Sequence, residues 1–217
     1  MSDSVLSFSP ALAYSSVMGI IEYASVLLLI ALIAGAWTLV ATYNRLVRLR
    51  QRQSNAFAQI DVQLKRRHDL VPSLVNTVKG YMQHERATLE AVVLARQQAR
   101  AAVRDVAAGL LDAALASRLG EAESVLSATL EQLRVVVEAY PQLRAAENTR
   151  QLMEELGSTE NRIAFARQAY NDAVMVYNTA RETFPTLLVA GLFGFRPAFL
   201  LQFSDNGLHS PVAVALP

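Results

Sequence analysis

The feature that most constrains this chain is an uncharged apolar run at residues 23–44, which reads YASVLLLIALIAGAWTLVATYN. In a helix these residues extend about 33 Å, which is enough to cross a bilayer core of about 30 Å. A buried core helix is the alternative, but core helices rarely continue this long without a charge. The run therefore predicts a transmembrane helix.

Basic residues are distributed unequally about this run. Residues 1–22 contain no lysine or arginine, whereas four arginines follow the run directly: Arg45, Arg48, Arg50 and Arg52. The positive-inside rule then predicts a single-pass protein with its N-terminus outside and the rest of the chain in the cytoplasm. A cleaved signal peptide does not fit, because it would need a basic stretch before a shorter apolar run. The arginines either act only as a topology signal or also contact anionic lipid headgroups.

Composition limits what the rest of the chain can do. Of 217 residues, 53% are hydrophobic, 18% are charged and none is cysteine. The mean hydropathy is +0.24. A disulfide framework and a zinc site with cysteine ligands are excluded, and a net charge of +1 argues against a nucleic-acid partner. Scarce glycine and proline favour helix, so the predicted fold class is all-α.

Apolar residues recur at alternating three- and four-residue spacings, which is typical of helices packed side by side. The runs extend over residues 57–95, 119–140 and 156–184. They predict three long helices, at residues 70–104, 110–140 and 145–184. Similar lengths and short connections favour an antiparallel three-helix bundle, with the transmembrane helix continuing into it.

Proline and glycine mark the predicted helix boundaries. Gly109 indicates a turn between the first two helices, and Pro141 and Pro185 end the second and third. Pro72 differs, because the heptad pattern stays in phase across it. It predicts a kinked but continuous helix, with a true break capped by Asp69 as the alternative.

The predicted organisation has five parts. They are an outer tail (1–22), the transmembrane helix (23–44), a helical stalk (45–69), the bundle (70–185) and an apolar C-terminal segment (186–217).

In a three-helix bundle Pro72 lies level with Pro141, so the stalk has no partner within the chain. Its apolar residues Phe57, Ile60 and Leu64 are therefore predicted to form an oligomer seam between copies.

Arg67 occupies a core-type position of the first heptad run. A buried charge without a partner costs too much to be tolerated, so an interhelical ion pair is predicted. In the three-helix register its partners are Glu138 and Glu147.

The stretch Pro185–Phe203 is largely apolar and carries one charge, Arg196, but Gly191, Gly194 and Pro197 interrupt it. It is too broken to cross a membrane as a second helix. An odd number of helices places it at the end of the bundle far from the membrane, where we expect it to fold back over the bundle tip. A subunit interface and a membrane contact are the alternatives, and the membrane contact requires a four-helix bundle.

Patterns typical of an active site are weak. His68 and His84 are each followed by an acid, but they lie about 24 Å apart on one predicted helix and cannot share a metal ion. The glycines of residues 191–195 lack the Lys-Ser/Thr of a phosphate loop. The Tyr-Asn repeat at residues 170–171 and 177–178 predicts packing aromatics rather than a cofactor site. Neither an enzyme nor a cofactor is predicted.

Several ordered motifs resemble those of the LemA family. They include residues 62–75 (VQLKRRHDLVPSLV), 138–141 (EAYP), 155–163 (ELGSTENRI) and 191–195 (GLFGF). The resemblance extends from about residue 43 to residue 195. It implies a protein of the bacterial inner membrane with one N-terminal membrane helix and a cytoplasmic helical bundle. Some members of the family belong to magnetosome membranes, and the resemblance supplies no catalytic residues.

The function expected from these observations is a membrane-anchored scaffold or interaction protein without catalytic activity. Its expected partners are membrane lipids, further copies of the chain and other membrane proteins. The alternative is a regulatory adaptor for an envelope protease or a signalling system.

Overall fold

The computed structural model describes the backbone of residues 10–82, 84–108 and 112–203, and the side chains of residues 23–82, 84–106 and 112–203. All regular structure in these ranges is helical, which confirms the all-α prediction. The helices of the described residues are α1 (Pro10–Val78), α2 (Arg86–Ala108), α3 (Ala113–Glu138), α4 (Pro141–Ala145), α5 (Glu147–Glu182) and α6 (Thr186–Leu192).

Helix α1 is continuous for 69 residues, or about 100 Å. It includes the apolar run, whose side chains are exposed from Tyr23 to Ala41. Among the described residues, α1 is the one helix long and apolar enough to cross a membrane. The core helix of a soluble protein would bury these side chains, so their exposure favours a membrane environment.

Helix α1 continues through Pro72, as the heptad pattern predicts. The predicted helix at residues 70–104 is nevertheless wrong, because the chain turns between Val78 and Arg86. Backbone hydrogen bonds from Tyr81 and Met82 to the carbonyl of Val78 close the first part of this turn. One predicted helix is therefore divided between the end of α1 and the whole of α2.

Within the ranges that the structure describes, the bundle consequently has four long helices rather than three. Helix α1 packs mainly along α5, and α2 packs mainly along α3. The part of α1 at residues 45–78 and helix α5 each measure about 50 Å, whereas α2 and α3 measure about 35 and 39 Å. Because α2 starts at the turn after Val78, it ends level with about residue 56 of α1.

The stalk predicted at residues 45–69 does have a partner within the chain, namely α5. Ile60 and Leu64 are fully buried. The Phe57 ring lies edge-on to Tyr170, with the ring centroids 5.7 Å apart. The prediction that Phe57, Ile60 and Leu64 form an oligomer seam is wrong, because an even number of long helices brings α5 back along α1 to cover them.

The other helix boundaries lie close to the predicted ones. Gly109 lies outside the described residues, between α2 and α3. Asp112 caps α3, and its side chain accepts a hydrogen bond from the Leu115 N–H at 2.8 Å. Pro141 starts α4 at the position where a helix tolerates proline, and α5 ends at Glu182, just before the predicted stop.

Candidate functional site

A network of buried polar side chains lies near the middle of the bundle. Arg67 and His68 on α1 are 1% and 2% exposed, and Glu123 on α3 is fully buried. The Arg67 guanidinium donates hydrogen bonds to the carboxylates of Glu123 and Glu160. It also donates to Ser127 Oγ at 3.0 Å, and His68 Nε2 lies 2.9 Å from Glu123 Oε1. One guanidinium thus joins α1 to both α3 and α5.

The remaining long helix joins this network through the backbone near Pro72. Proline has no N–H, so it leaves the carbonyl oxygen four residues earlier, that of His68, without its helical hydrogen bond. Arg96 Nε on α2 donates to that oxygen at 2.6 Å. This contact replaces the hydrogen bond that Pro72 removes, and it connects α2 to α1 at the same level as the ion pairs.

Arg67 is paired across helices, but its predicted partners are wrong. Glu138 and Glu147 are both exposed. Glu147 instead accepts hydrogen bonds from Arg150 and Gln151, and these lower the pKa of its carboxyl group. The turn after Val78 is the physical reason, because it places the middle of α3 and α5, rather than their ends at Pro141, level with Arg67.

A surface groove of about 570 Å³ lies away from the polar network, between α5 and residues 201–203. Within the part of the chain that the structure describes, there is no group of three or more acidic or histidine side chains placed to hold a metal ion. His84 is exposed in the turn between α1 and α2. Because Arg67 binds carboxylates on both α3 and α5, the network suits the fixing of helix register.

The end of the bundle next to the apolar run is held together differently from the middle. Residues 45–56 of α1 and 171–182 of α5, here called the neck, extend beyond α2. Leu46 is fully buried there, in a cluster with Tyr177, Val189 and Ala190. The four arginines predicted to contact lipid headgroups are all exposed in the neck: Arg45, Arg48, Arg50 and Arg52. Headgroup contact requires this exposure and stays a prediction.

An extended segment at residues 195–203, here called the strap, runs back from the neck along α5. Two tyrosines of α5 hold its backbone. The Tyr177 hydroxyl donates to the carbonyl oxygen of Arg196 at 2.8 Å, and the Tyr170 hydroxyl donates to that of Phe199 at 2.9 Å. Burial raises the pKa of Tyr170 to about 12 and also raises the pKa of Tyr177.

The asparagine after each tyrosine makes two further hydrogen bonds to the strap. The Asn178 amide pairs with the N–H and C=O of Ala198 at 3.0 and 2.8 Å. The Asn171 amide pairs in the same way with Leu201, at 2.9 and 3.0 Å. Seven helical residues rise about 10.5 Å and three extended residues span about 10 Å, so the two repeats match. The Tyr-Asn repeat is therefore a clamp for a backbone, which its prediction as packing aromatics missed.

The strap also contacts α3. Leu201 is fully buried in a cluster that includes Ile60 and Leu119. At Gly120 the strap backbone is so close that a Cβ atom would lie 2.1 Å from the carbonyl oxygen of Gln202. Glycine at this position is what allows the strap to lie between α3 and α5.

Helix α6 lies at the neck, beside the end of the apolar run. The Phe193 and Phe195 rings contact Tyr43 edge-on, with centroid distances of 4.9 and 5.7 Å. The prediction that this segment lies at the far end of the bundle is wrong, because four long helices return the chain to the end where it entered. Val189 and Ala190 are buried against the neck.

An exposed apolar helix that continues without a break into a four-helix bundle defines a class of membrane-associated helical proteins. The sequence profile of the LemA family matches residues 56–215, and the chain belongs to that family. The matched range starts inside α1, beyond the apolar run, so the family signature lies in the bundle, α6 and the strap.

Three magnetosome proteins are similar to this chain. Magnetosome proteins MamQ 1 and MamQ 2 of Paramagnetospirillum magneticum are each 25% identical to this chain, over 84% of its length and 72% of theirs. Magnetosome protein MamQ of Magnetospirillum gryphiswaldense is 24% identical, over 77% of this chain and 67% of its own length. The similarity thus includes most of the bundle.

Proposed function

We propose that this chain is a non-catalytic scaffold of the bacterial inner membrane, with its N-terminus outside and its bundle in the cytoplasm. It would hold partner proteins at a fixed height and orientation relative to the bilayer. The observation that carries this proposal is the continuity of α1, which joins the apolar run to the bundle core without a linker.

The geometry of α1 explains why this continuity matters. Leu46, immediately beyond the apolar run, is already fully buried against α5 and α6. The bundle therefore cannot swing freely about the membrane end of α1. The Arg67 network lies about 35 Å further along the same helix, so its height above the bilayer is set by helix geometry.

Contacts between copies remain part of the proposal, but on a different surface. Because the predicted seam is covered by α5, copies would meet through exposed apolar side chains. Phe165 and Val176 on α5 are 73% and 49% exposed. They lie three helical turns apart and share one face of the helix.

Photo-crosslinking in native membranes tests this surface. A benzophenone amino acid is placed at Phe165 and, as a control, at Gln97, an exposed polar position on α2. Self-crosslinked ladders from position 165 support the scaffold. One heterologous partner in constant proportion favours the regulatory adaptor instead. If crosslinking at position 165 does not exceed that at position 97, this face of α5 is not a contact surface.

A pair of insertions between Asn44 and Arg45 tests the role of continuity. Seven alanines add about two helical turns and preserve the direction of the bundle, whereas seven glycine and serine residues break the helix. The scaffold proposal predicts that only the flexible insertion abolishes the crosslinked ladder. Equal ladders from both variants would contradict a requirement for rigid attachment.

A further inference from the structure

Helix α6 is apolar on both of its faces. Thr186, Val189 and Ala190 are buried against the neck. The exposed side chains of α6 and of the residues that flank it are here called the α6 tip. They are Phe184, Leu187, Leu188, Leu192 and Phe193, which are 76, 49, 64, 73 and 49% exposed. A helix on the surface of a soluble protein normally presents polar residues outward. Five large apolar side chains together are typical of a surface that meets something other than water.

The pairing of α1 with α5 fixes the level of this tip. Arg67 pairs with Glu160, and Phe57 contacts Tyr170. The two helices are therefore antiparallel, and each step back along α1 corresponds to an equal step forward along α5. Continuing that pairing to the end of α5 places Glu182 opposite Arg45. Helix α6 begins only after that point, and Phe193, which follows it, contacts Tyr43. The α6 tip is therefore level with the end of the apolar run.

The charge distribution around the tip matches a membrane surface. Residues 183–195 contain no charged side chain. Exposed arginines lie at this level of α1 and directly after α6, namely Arg45, Arg48 and Arg196, and the exposed Glu182 is paired with Arg181. Cationic side chains beside an apolar surface are typical of proteins that meet anionic headgroups while apolar groups enter the boundary below.

We propose that the α6 tip inserts into the boundary between headgroups and acyl chains of the membrane that α1 crosses. With seven residues α6 is about 10 Å long, too short to span the bilayer but suited to lie within its surface layer. The protein would then contact the bilayer at two points, which fixes the rotation of the bundle about α1. This proposal does not depend on the scaffold function.

The natural absence of cysteine allows a direct test in the full-length protein. Leu192→Cys is labelled with an environment-sensitive fluorophore, and Leu94→Cys, at an exposed leucine of α2 far from the apolar run, is the control. Both proteins are placed in nanodiscs of phosphatidylcholine and phosphatidylglycerol that contain a nitroxide-labelled lipid. We expect quenching at position 192 and little at position 94. Equal quenching at the two sites would overturn the proposal.

The reactivity of the same cysteines with an aqueous maleimide separates lipid from protein contact. We expect Leu192→Cys to react at least about tenfold more slowly than Leu94→Cys, as for a site below the headgroups. Protection without nitroxide quenching would mean that a second copy or another protein covers the tip, and it would overturn the proposal.

A change in height provides a final check. Seven alanines inserted between Asn44 and Arg45 lift the bundle by about 10 Å while the helix continues. If the tip is placed by its level on α1, quenching at position 192 is lost in this variant. Unchanged quenching would contradict that placement.

Discussion

The middle of the bundle and its neck are held together by different kinds of contact. In the middle, Arg67 and Glu123 form a buried ion pair that crosses the helix interface. In the neck and strap, neutral tyrosine and asparagine side chains bind backbone groups, and apolar side chains fill the remainder. Ionised groups lose more on burial than neutral ones, and the loss grows as the surroundings become less polar. The comparison indicates that buried charge is placed far from the membrane, where it fixes register.

The largest effect that would test this difference is expected from Glu123→Ala. It leaves the buried Arg67 without its fully buried partner, and we expect the free energy of unfolding to fall by about 3–5 kcal/mol. The control is Glu160→Ala, because the Glu160 side chain is 49% exposed and water can replace it. Urea unfolding of the full-length protein in mild detergent measures both. Equal losses would show that burial does not distinguish the two carboxylates.

The second-largest loss of stability is expected from a substitution where the strap contacts α3. Gly120→Ala puts a methyl group against the carbonyl oxygen of Gln202, so the strap must move, and we expect a loss of up to about 3 kcal/mol. Gly157→Ala is the matched control, since nothing lies within 4 Å of its added Cβ. That control should gain up to about 1 kcal/mol from better helix propensity. Thermal unfolding followed by circular dichroism compares the two, and equal changes would contradict the close approach.

A smaller effect is expected when one clamp residue is removed. Asn178→Ala leaves the N–H and C=O of Ala198 without their side-chain partner, which we expect to cost about 2 kcal/mol. Asn161→Ala, at an exposed site on the same helix, is the control. Hydrogen exchange followed by mass spectrometry should show faster exchange of residues 195–203 only in the first variant. Unaltered exchange there would mean that Asn178 does not hold the strap.

The smallest effect is expected from Tyr170→Phe, which removes one hydrogen bond to Phe199 and costs about 1 kcal/mol at neutral pH. Since burial raises the pKa of Tyr170 to about 12, the unfolded chain loses this proton first, near pH 10. Stability of the wild-type protein therefore falls as the pH rises from about 10 towards 12. The variant lacks this contribution, so its unfolding free energy should decline less steeply over that range. Parallel declines would show that Tyr170 is not responsible.

Much of the fold could be predicted from local patterns. The apolar run, the continuity through Pro72 and the end of α5 follow from hydropathy and proline chemistry. The turn after Val78 was missed because the heptad pattern stays in phase across Gly80, so no change in period marks the break. That single error changed the number of helices. It therefore also misplaced α6, the partners of Arg67 and the surface around Ile60.

The contacts of the strap could not be predicted from the sequence, for a different reason. The Tyr-Asn repeat is visible in the sequence, but its partner is an extended backbone without periodicity. A helix heptad gives no sign that its polar positions bind main-chain groups. The arginine that compensates for Pro72 was likewise unpredictable, since Arg96 belongs to a helix whose start was not foreseen.

Helices α1 and α5 pack together, but the ribosome synthesises them at different times. Arg67 and Glu160 are 93 residues apart, so at about 5–20 residues per second the ribosome needs roughly 5–20 s to supply the partner after Arg67 has been synthesised. During this interval the stripe that includes Leu46, Ile60 and Leu64 lacks the cover that α5 supplies. We expect nascent chains to be most prone to aggregation in those seconds, and a chaperone bound to the stripe to raise the yield of folded protein.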